Sequence, residues 1–266
     1  YRGRVVLHWH SDILRQRILG TLYRPLQSWL IDRADVIIGT SPVYIEQSPD
    51  LKKARAKSRC IPIGVLPLPY DRDAAAAVRA RYPGKKIVFS LGRLVKYKGH
   101  STLIEAARHL GDDYVVLIGG EGPLKTGLEA QIRESGLQDK VKLLGFISDC
   151  DLPSVFHACD VFCLSSIQKT EAFGIAQIEA MSCGKPVVAT NIPGSGTSWV
   201  NEHGVSGLNA DPGDADALAG AIRAVTKDAE TYARYSENAL SRYKALFTRQ
   251  KMLNDSLRVY EKLCQC

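Results

Sequence analysis

The chain has 266 residues, 45% of them hydrophobic and 24% charged, and a net charge of +7 at pH 7. That length supports two cores, and the balance excludes a disordered, collagen-like or disulfide-dense chain. The positive excess suits an anionic partner such as a phosphorylated ligand or an anionic membrane surface. The densest basic run, Lys52-Lys53-Ala54-Arg55-Ala56-Lys57, lacks interleaved aromatics, so nucleic acid is not the expected partner. The seven cysteines form no C-x-x-C pair, and Cys159, Cys163 and Cys183 sit in apolar runs, the pattern of reduced, buried thiols. No apolar run reaches the roughly 20 residues of a membrane span and no secretory segment opens the sequence. The expectation is a cytoplasmic protein, with peripheral contact at the inner face of the cell membrane.

In chain order, Arg4 to His8 reads as a strand that begins almost at once after Tyr1, suggesting a piece of something longer. A helical stretch, Ile18 to Ile31, joins it to the strand-like Asp35-Val36-Ile37-Ile38. Ile61 to Pro69 is rich in proline and glycine and reads as an extended connector. From Lys85 onward, β-branched runs alternate with amphipathic helices, the pattern of a parallel sheet covered on both faces. Five strand candidates follow: Lys86 to Ser90, Tyr114 to Ile118, Val141 to Leu144, Val161 to Leu164 and Pro186 to Ala189. The first helix is expected to open with the capping box Thr102-x-x-Glu105, and others at Thr126 to Ser135, Leu152 to Ala158, Gly174 to Cys183 and Asp214 to Thr226. Glu230 to Leu246 and Arg249 to Leu263 close the chain, the last with Met252, Leu253, Leu257, Tyr260 and Leu263 as an apolar stripe. The implied division is a partial α/β unit at 1–66, a connector at 67–84, a complete doubly wound unit at 85–246 and a closing helix at 247–266.

Three segments carry chemistry. Gly92-Arg93-Leu94-Val95-Lys96-Tyr97-Lys98-Gly99 lies between a strand and a helix, at the sheet edge where open α/β folds bind ligands. Arg93 offers a planar fork for phosphate oxygens and Lys98 a compact charge, enough to offset a diphosphate without metal. In Glu171-Ala172-Phe173-Gly174-Ile175-Ala176-Gln177-Ile178-Glu179, two carboxylates flank a helix start whose free N–H groups near Phe173, Gly174 and Ile175 suit an anion. Glu179, among Ile175, Ile178, Ala180 and Met181, calls for a hydrogen-bonding counterpart. The third segment, His8-Trp9-His10-Ser11-Asp12, ends the first strand and is followed by Arg15, Arg17 and Tyr23-Arg24-Pro25.

In these motifs, together with Gly119-Gly120-Glu121-Gly122-Pro123, Gly145-Phe146-Ile147, Ala180-Met181-Ser182-Cys183-Gly184-Lys185-Pro186 and Gly207-Leu208, the sequence resembles the retaining family 4 of the GT-B glycosyltransferases. The resemblance implies a complete Rossmann-like donor domain preceded by the end of an acceptor-side domain, whose first part is absent from the sequence. It implies that Arg93 and Lys98 hold the donor diphosphate, that Ile147 presents backbone to the base and that Glu179 grips the ribose. Glu171, with backbone at Phe173 to Ile175, would face the sugar and β-phosphate, and His10, with His8 as the alternative, would stand at the cleft. The implied reaction transfers a sugar from a nucleotide diphosphate sugar to a glycan or lipid-linked acceptor with retention, by front-face displacement and without metal or cofactor. Surface polysaccharide or lipid-linked glycan assembly is the implied setting, and the closing helix would cross back to the first domain.

Two rivals stand beside it. The same fold could serve a nucleotide-sugar epimerase or a non-catalytic nucleotide-binding module, although an epimerase needs further carboxylates beside the sugar. A metal-dependent hydrolase could use His8, His10 and Asp12, which a continuous strand would place on one face.

Overall fold

The computed structural model describes residues 3–12 and 17–265, and among these the strands form two separate parallel sheets. Strands β1 (Val6–Trp9), β2 (Val36–Gly39) and β3 (Ser58–Cys60) make the smaller sheet in that order. Helix α1 (Arg17–Arg33) crosses from β1 to β2, and α2 (Pro42–Gln47) follows β2 with Ser41 as its N-cap. Trp9, Ile31, Ile37, Tyr44 and Leu51 bury together as the core of this unit. Arg15 lies outside the described residues.

The larger sheet contains β4 (Lys86–Leu91), β5 (Tyr114–Gly119), β6 (Val141–Gly145), β7 (Val161–Leu164), β8 (Val187–Thr190) and β9 (Gly207–Ala210). Its helices are α3 (Arg72–Ala80), α4 (His100–Ala107), α5 (Lys125–Glu134), α6 (Leu152–Ala158), α7 (Ile175–Ser182), α8 (Thr197–Val200), α9 (Ala215–Val225) and α10 (Ala229–Leu246). The strand order is β6-β5-β4-β7-β8-β9, all parallel, so the winding reverses between β4 and β7. Both faces are buried because the strand residues alternate between two cores. Val88, Val116, Ile118 and Val161 enter one, while Ile87, Phe89, Leu117 and Phe162 enter the other. In the second core the Phe89 ring meets Phe156 edge-on at 5.1 Å.

The segment after β3 and the turn before α11 (Arg249–Cys264) pass side by side between the units. Val65 donates to the Phe247 carbonyl and accepts from Arg249, both at 3.0 Å, and Tyr243 Oη donates to the same Val65 oxygen at 3.0 Å. Helix α11 then reaches the first sheet, where Tyr260 Oη stands 3.0 Å from His8 Nε2. Its apolar stripe is used only in part, since Leu253 and Leu257 remain exposed.

Several elements differ from the sequence reading. Helix α4 starts at His100 with Gly99 as N-cap, so Thr102 lies inside the first turn and the expected capping box does not form. Helix α3 occupies residues left without structure, although Asp71 caps it by accepting from Ala74 N–H. Strand β9 was missed because Gly207-Leu208-Asn209-Ala210 carries no β-branched run. The buried Asn201 amide holds it in place, donating to Val187 O, Leu208 O and Asn209 Oδ1.

Candidate functional site

A cavity of about 460 Å³ opens where the larger sheet reverses its winding. Its floor is the carboxyl end of β4 at Leu91-Gly92 and of β7 at Leu164, the crevice in which open α/β sheets receive ligands. The start of α7 forms one wall, and His10 and Ser11 from the end of β1 face it from the other unit.

Lys98 ends a one-turn 3-10 helix after β4 and extends along Gly92 to the loop beyond β7. Its Nζ lies 2.6 Å from Glu171 Oε2, with side-chain exposures of only 15% and 11%. Ser166 Oγ donates to the same carboxylate oxygen at 2.8 Å, and Ser195 Oγ donates to the Glu171 carbonyl. A tight turn completes the clamp, with Glu171 N–H donating to Gln168 O at 2.9 Å. Lys98 and Glu171 therefore neutralise each other inside the cavity, and each is held by backbone fixed to the sheet edge.

Beyond Glu171, Gly174 turns the chain into α7 with φ 79° and ψ 66°, in the left-handed region, and no side chain among the described residues caps the helix. Ile175 and Ala176, whose N–H groups open the helix, line the cavity, where the helix dipole favours negative charge. A side chain at 174 would fill this approach, because a Cβ there would stand 2.6 Å from Gln177 Nε2 and 2.8 Å from Leu164 Cδ2. Gln177 is fully buried below it and donates to Phe173 O at 3.1 Å.

Of the residues singled out in the sequence, the structure brings His10, Lys98, Glu171, Phe173, Gly174 and Ile175 to one cavity. Arg93, Ile147 and Glu179 lie outside that lining. Arg93 is exposed on the loop after β4, and Ile147, partly buried, packs against the core that holds Phe89 and Phe162. Glu179 is half-buried on the side of α7 opposite Ile178 and Met181, so the apolar neighbours do not enclose it, and its carboxylate has no hydrogen-bond partner among the described residues. Burial, and then the Asp149 carboxylate nearby, hold its pKa above the usual glutamate value.

His10 lines the cavity, while His8 points toward α11 and its pKa is lowered by burial and by His10. Asp12 joins neither. Strand β1 ends at Trp9, so the alternation needed to align His8, His10 and Asp12 does not continue. Asp12 is buried, with Trp9 Nε1 and Ser48 Oγ donating to one oxygen and Lys169 Nζ to the other. The metal-ligand reading of that triplet is thereby overturned. Ser166, Ser195 and Asp149 were missed as supporting groups, since serines in a polar loop and an aspartate 30 residues from Glu179 carry no spacing signal.

Comparison with known proteins bears on this geometry. Residues 71–242 match the sequence profile of the family described as Glycosyl transferases group 1. The chain belongs to that family. Among similar curated proteins, O-antigen chain mannosyltransferase C of Escherichia coli is 32% identical over 264 residues, covering 99% of this chain and 70% of the relative. D-rhamnosyltransferase WbpZ of Pseudomonas aeruginosa is 35% identical over 245 residues, covering 91% of this chain and 63% of the relative. Among solved structures, Anabaena Alr3699/HepE in complex with UDP superposes with a TM-score of 0.85 at 25% identity, over 99% of this chain and 72% of that one. Sucrose-phosphate synthase from Thermosynechococcus elongatus superposes with a TM-score of 0.82 at 26% identity, over 98% and 68%. The two parallel sheets of this group 1 glycosyl transferase chain thus have the GT-B fold, with the cavity between its two units. Glu171 is the one carboxylate lining that cavity among the described residues, so the further carboxylates an epimerase would use are not in the lining. No described helix is long and apolar enough to cross a membrane.

Proposed function

We propose that this chain binds a nucleoside diphosphate sugar and, in its whole protein, transfers the sugar with retention to an acceptor hydroxyl. The observation that carries the reading is the convergence of Lys98, Glu171 and the uncapped start of α7 on one cavity at the sheet's reversal. UDP in the HepE structure, and the O-antigen chain mannosyltransferase and the D-rhamnosyltransferase among the relatives, support it.

In this reading the β-phosphate lies against the α7 N-terminus and takes Lys98 from Glu171, while Arg93 closes from the exposed loop. Glu171, released from its cation, accepts hydrogen bonds from the donor sugar, and Glu179 does so from the ribose beside Ile147. The acceptor oxygen attacks the anomeric carbon on the face the diphosphate leaves. The bond to the β-phosphate oxygen breaks, and that phosphate takes the acceptor proton. Negative charge grows on the departing diphosphate, and Lys98 and the helix end meet it already in place. Such preorganisation needs no metal. His10 stands across the cavity to orient the sugar.

Thermal shift with ADP, GDP, UDP and dTDP tests donor binding: one nucleotide should raise the melting temperature clearly, and a flat response to all four sinks the reading. Anomeric configuration of the product by NMR tests retention. The first 66 residues hold eleven Lys and Arg against five Asp and Glu, a net +6 out of the chain's +7, and Leu26 and Trp29 are exposed on α1. That pattern supports peripheral contact with an anionic membrane. Cosedimentation with phosphatidylglycerol vesicles should show it, and equal recovery with neutral vesicles would refute it.

A further inference from the structure

The turn that presents Glu171 to the cavity carries a second charge facing the other way. Lys169 Nζ lies 3.0 Å from Asp12 Oδ2, across the boundary between the two units. Asp12 is 2% exposed at its side chain and has no slack in its bonding, because Trp9 Nε1 and Ser48 Oγ occupy its other oxygen at 3.0 Å and 2.7 Å. Its backbone N–H donates to Tyr44 Oη, and the Lys169 ammonium sits 5.1 Å from the centre of the Tyr44 ring. The lysine is further enclosed where Gly194 and Gln47 approach from either unit. Beside it, Gly196 and Ser41 pack so closely that a Cβ at 196 would stand 2.6 Å from Ser41 Oγ.

The sequence positions of this pair give it a consequence for the cavity. Asp12 is two residues from His10 and Lys169 is two residues from Glu171, and His10, Ser11, Thr170 and Glu171 all line the cavity. The ion pair therefore ties together the chain segments that form the two facing walls. We propose that Asp12 and Lys169 form a strut between the units and act as positioning residues that fix His10 and Glu171 at one separation for sugar transfer. This rests on the transfer reading for its kinetic consequence, although the strut itself is a statement about the distance between the units.

The pair touches no residue assigned to the diphosphate or the ribose, so its loss should move turnover rather than donor affinity. In the full-length enzyme, Lys169→Met should lower kcat at least tenfold while KM for the donor and nucleoside diphosphate affinity by calorimetry change less than twofold. Lys169→Arg should recover most of the rate. Asp12→Leu combined with Lys169→Leu removes the buried carboxylate together with its cation, leaves no buried charge unpaired and should show the same kcat loss in a folded protein. Spin labels on the exposed Cys60 and Cys150, one in each unit, supply a readout independent of activity. The distance distribution should broaden in Lys169→Met. An unchanged distribution, an unchanged kcat in a folded variant, or a parallel loss of nucleotide binding would each overturn the strut. Failure of the unsubstituted enzyme to bind any nucleotide would instead refute the transfer reading, leaving the label distances to decide the strut.

Discussion

Replacing Lys98 with methionine removes the cation paired with Glu171 and leaves a carboxylate that is 11% exposed. Breaking a fully buried pair from one side costs about 3–5 kcal/mol. Ser166 still donates to Glu171, and water reaches the pair at its edge, so about 2–3 kcal/mol is expected for Lys98→Met. Glu171→Gln should cost about 1 kcal/mol, because the amide oxygen still accepts from Ser166 and the ammonium, 15% exposed, turns to solvent. The double variant buries no unpaired charge and should lie within about 1 kcal/mol below the parent, giving a coupling of about 2–4 kcal/mol. Urea titration of the four proteins measures this cycle. The same proteins titrated with the preferred nucleoside diphosphate test the site. Lys98→Met should lose about ten- to hundredfold in affinity, the worth of one charge-assisted hydrogen bond. Glu171→Gln should bind as well or a few-fold better, because the competing carboxylate is gone. A double variant as unstable as Lys98→Met, or a Glu171→Gln variant that binds as poorly as Lys98→Met, would refute the exchange of partners.

Gly174→Ala forces a side chain into left-handed backbone, at about 1–2 kcal/mol, and against Leu164, at about 1–3 kcal/mol, so urea midpoints should fall by an amount equivalent to about 2–5 kcal/mol. A midpoint at the parent value would show that the helix start has room. Glu179 has a folded pKa raised by burial and by Asp149, so its contribution to stability is present at low pH and lost as pH rises through the raised value. Glu179→Gln should therefore raise the melting temperature at pH 7 and not at about pH 4, while weakening nucleotide binding. A variant melting lower than the parent at pH 7 would contradict the cause assigned to the shift.

The larger unit was legible because its strands are buried on both faces and spell out β-branched runs such as Tyr114-Val115-Val116-Leu117-Ile118. The cavity was legible in part for a related reason. Lys98 and Glu171 both lie just beyond predicted strands, at the carboxyl edge where open α/β sheets bind ligands, while the pairing of β4 with β7 that brings them together is visible only in the fold. Strand β3 was not legible, since Ser58-Arg59-Cys60 is a short edge strand held by register with Ile37 to Gly39 rather than by its own composition. Contacts between the units were equally hidden. Asp12 and Lys169 are 157 residues apart, and in the sequence Asp12 read as a candidate metal ligand and Lys169 as an ordinary loop charge until the fold faced one against the other.

The turn from Gln168 to Glu171 brings these points together, for it holds a cation and a carboxylate that leave in opposite directions. Glu171 points into the cavity and pairs with Lys98, whose position at the cavity wall lets another anion replace it. Lys169 points to Asp12, whose two oxygens are already filled by three donors. In the proposed transfer, exchange would cost little for the first pair, because an incoming diphosphate would supply new acceptors to Lys98 while the sugar would supply donors to Glu171. For the second it would strand a buried carboxylate, a penalty that no ligand in the cavity offsets. One short turn thus joins the pair proposed to exchange to a fixed one, and on that proposal the fixed pair would keep the backbone of Glu171 in place while its side chain changes partner.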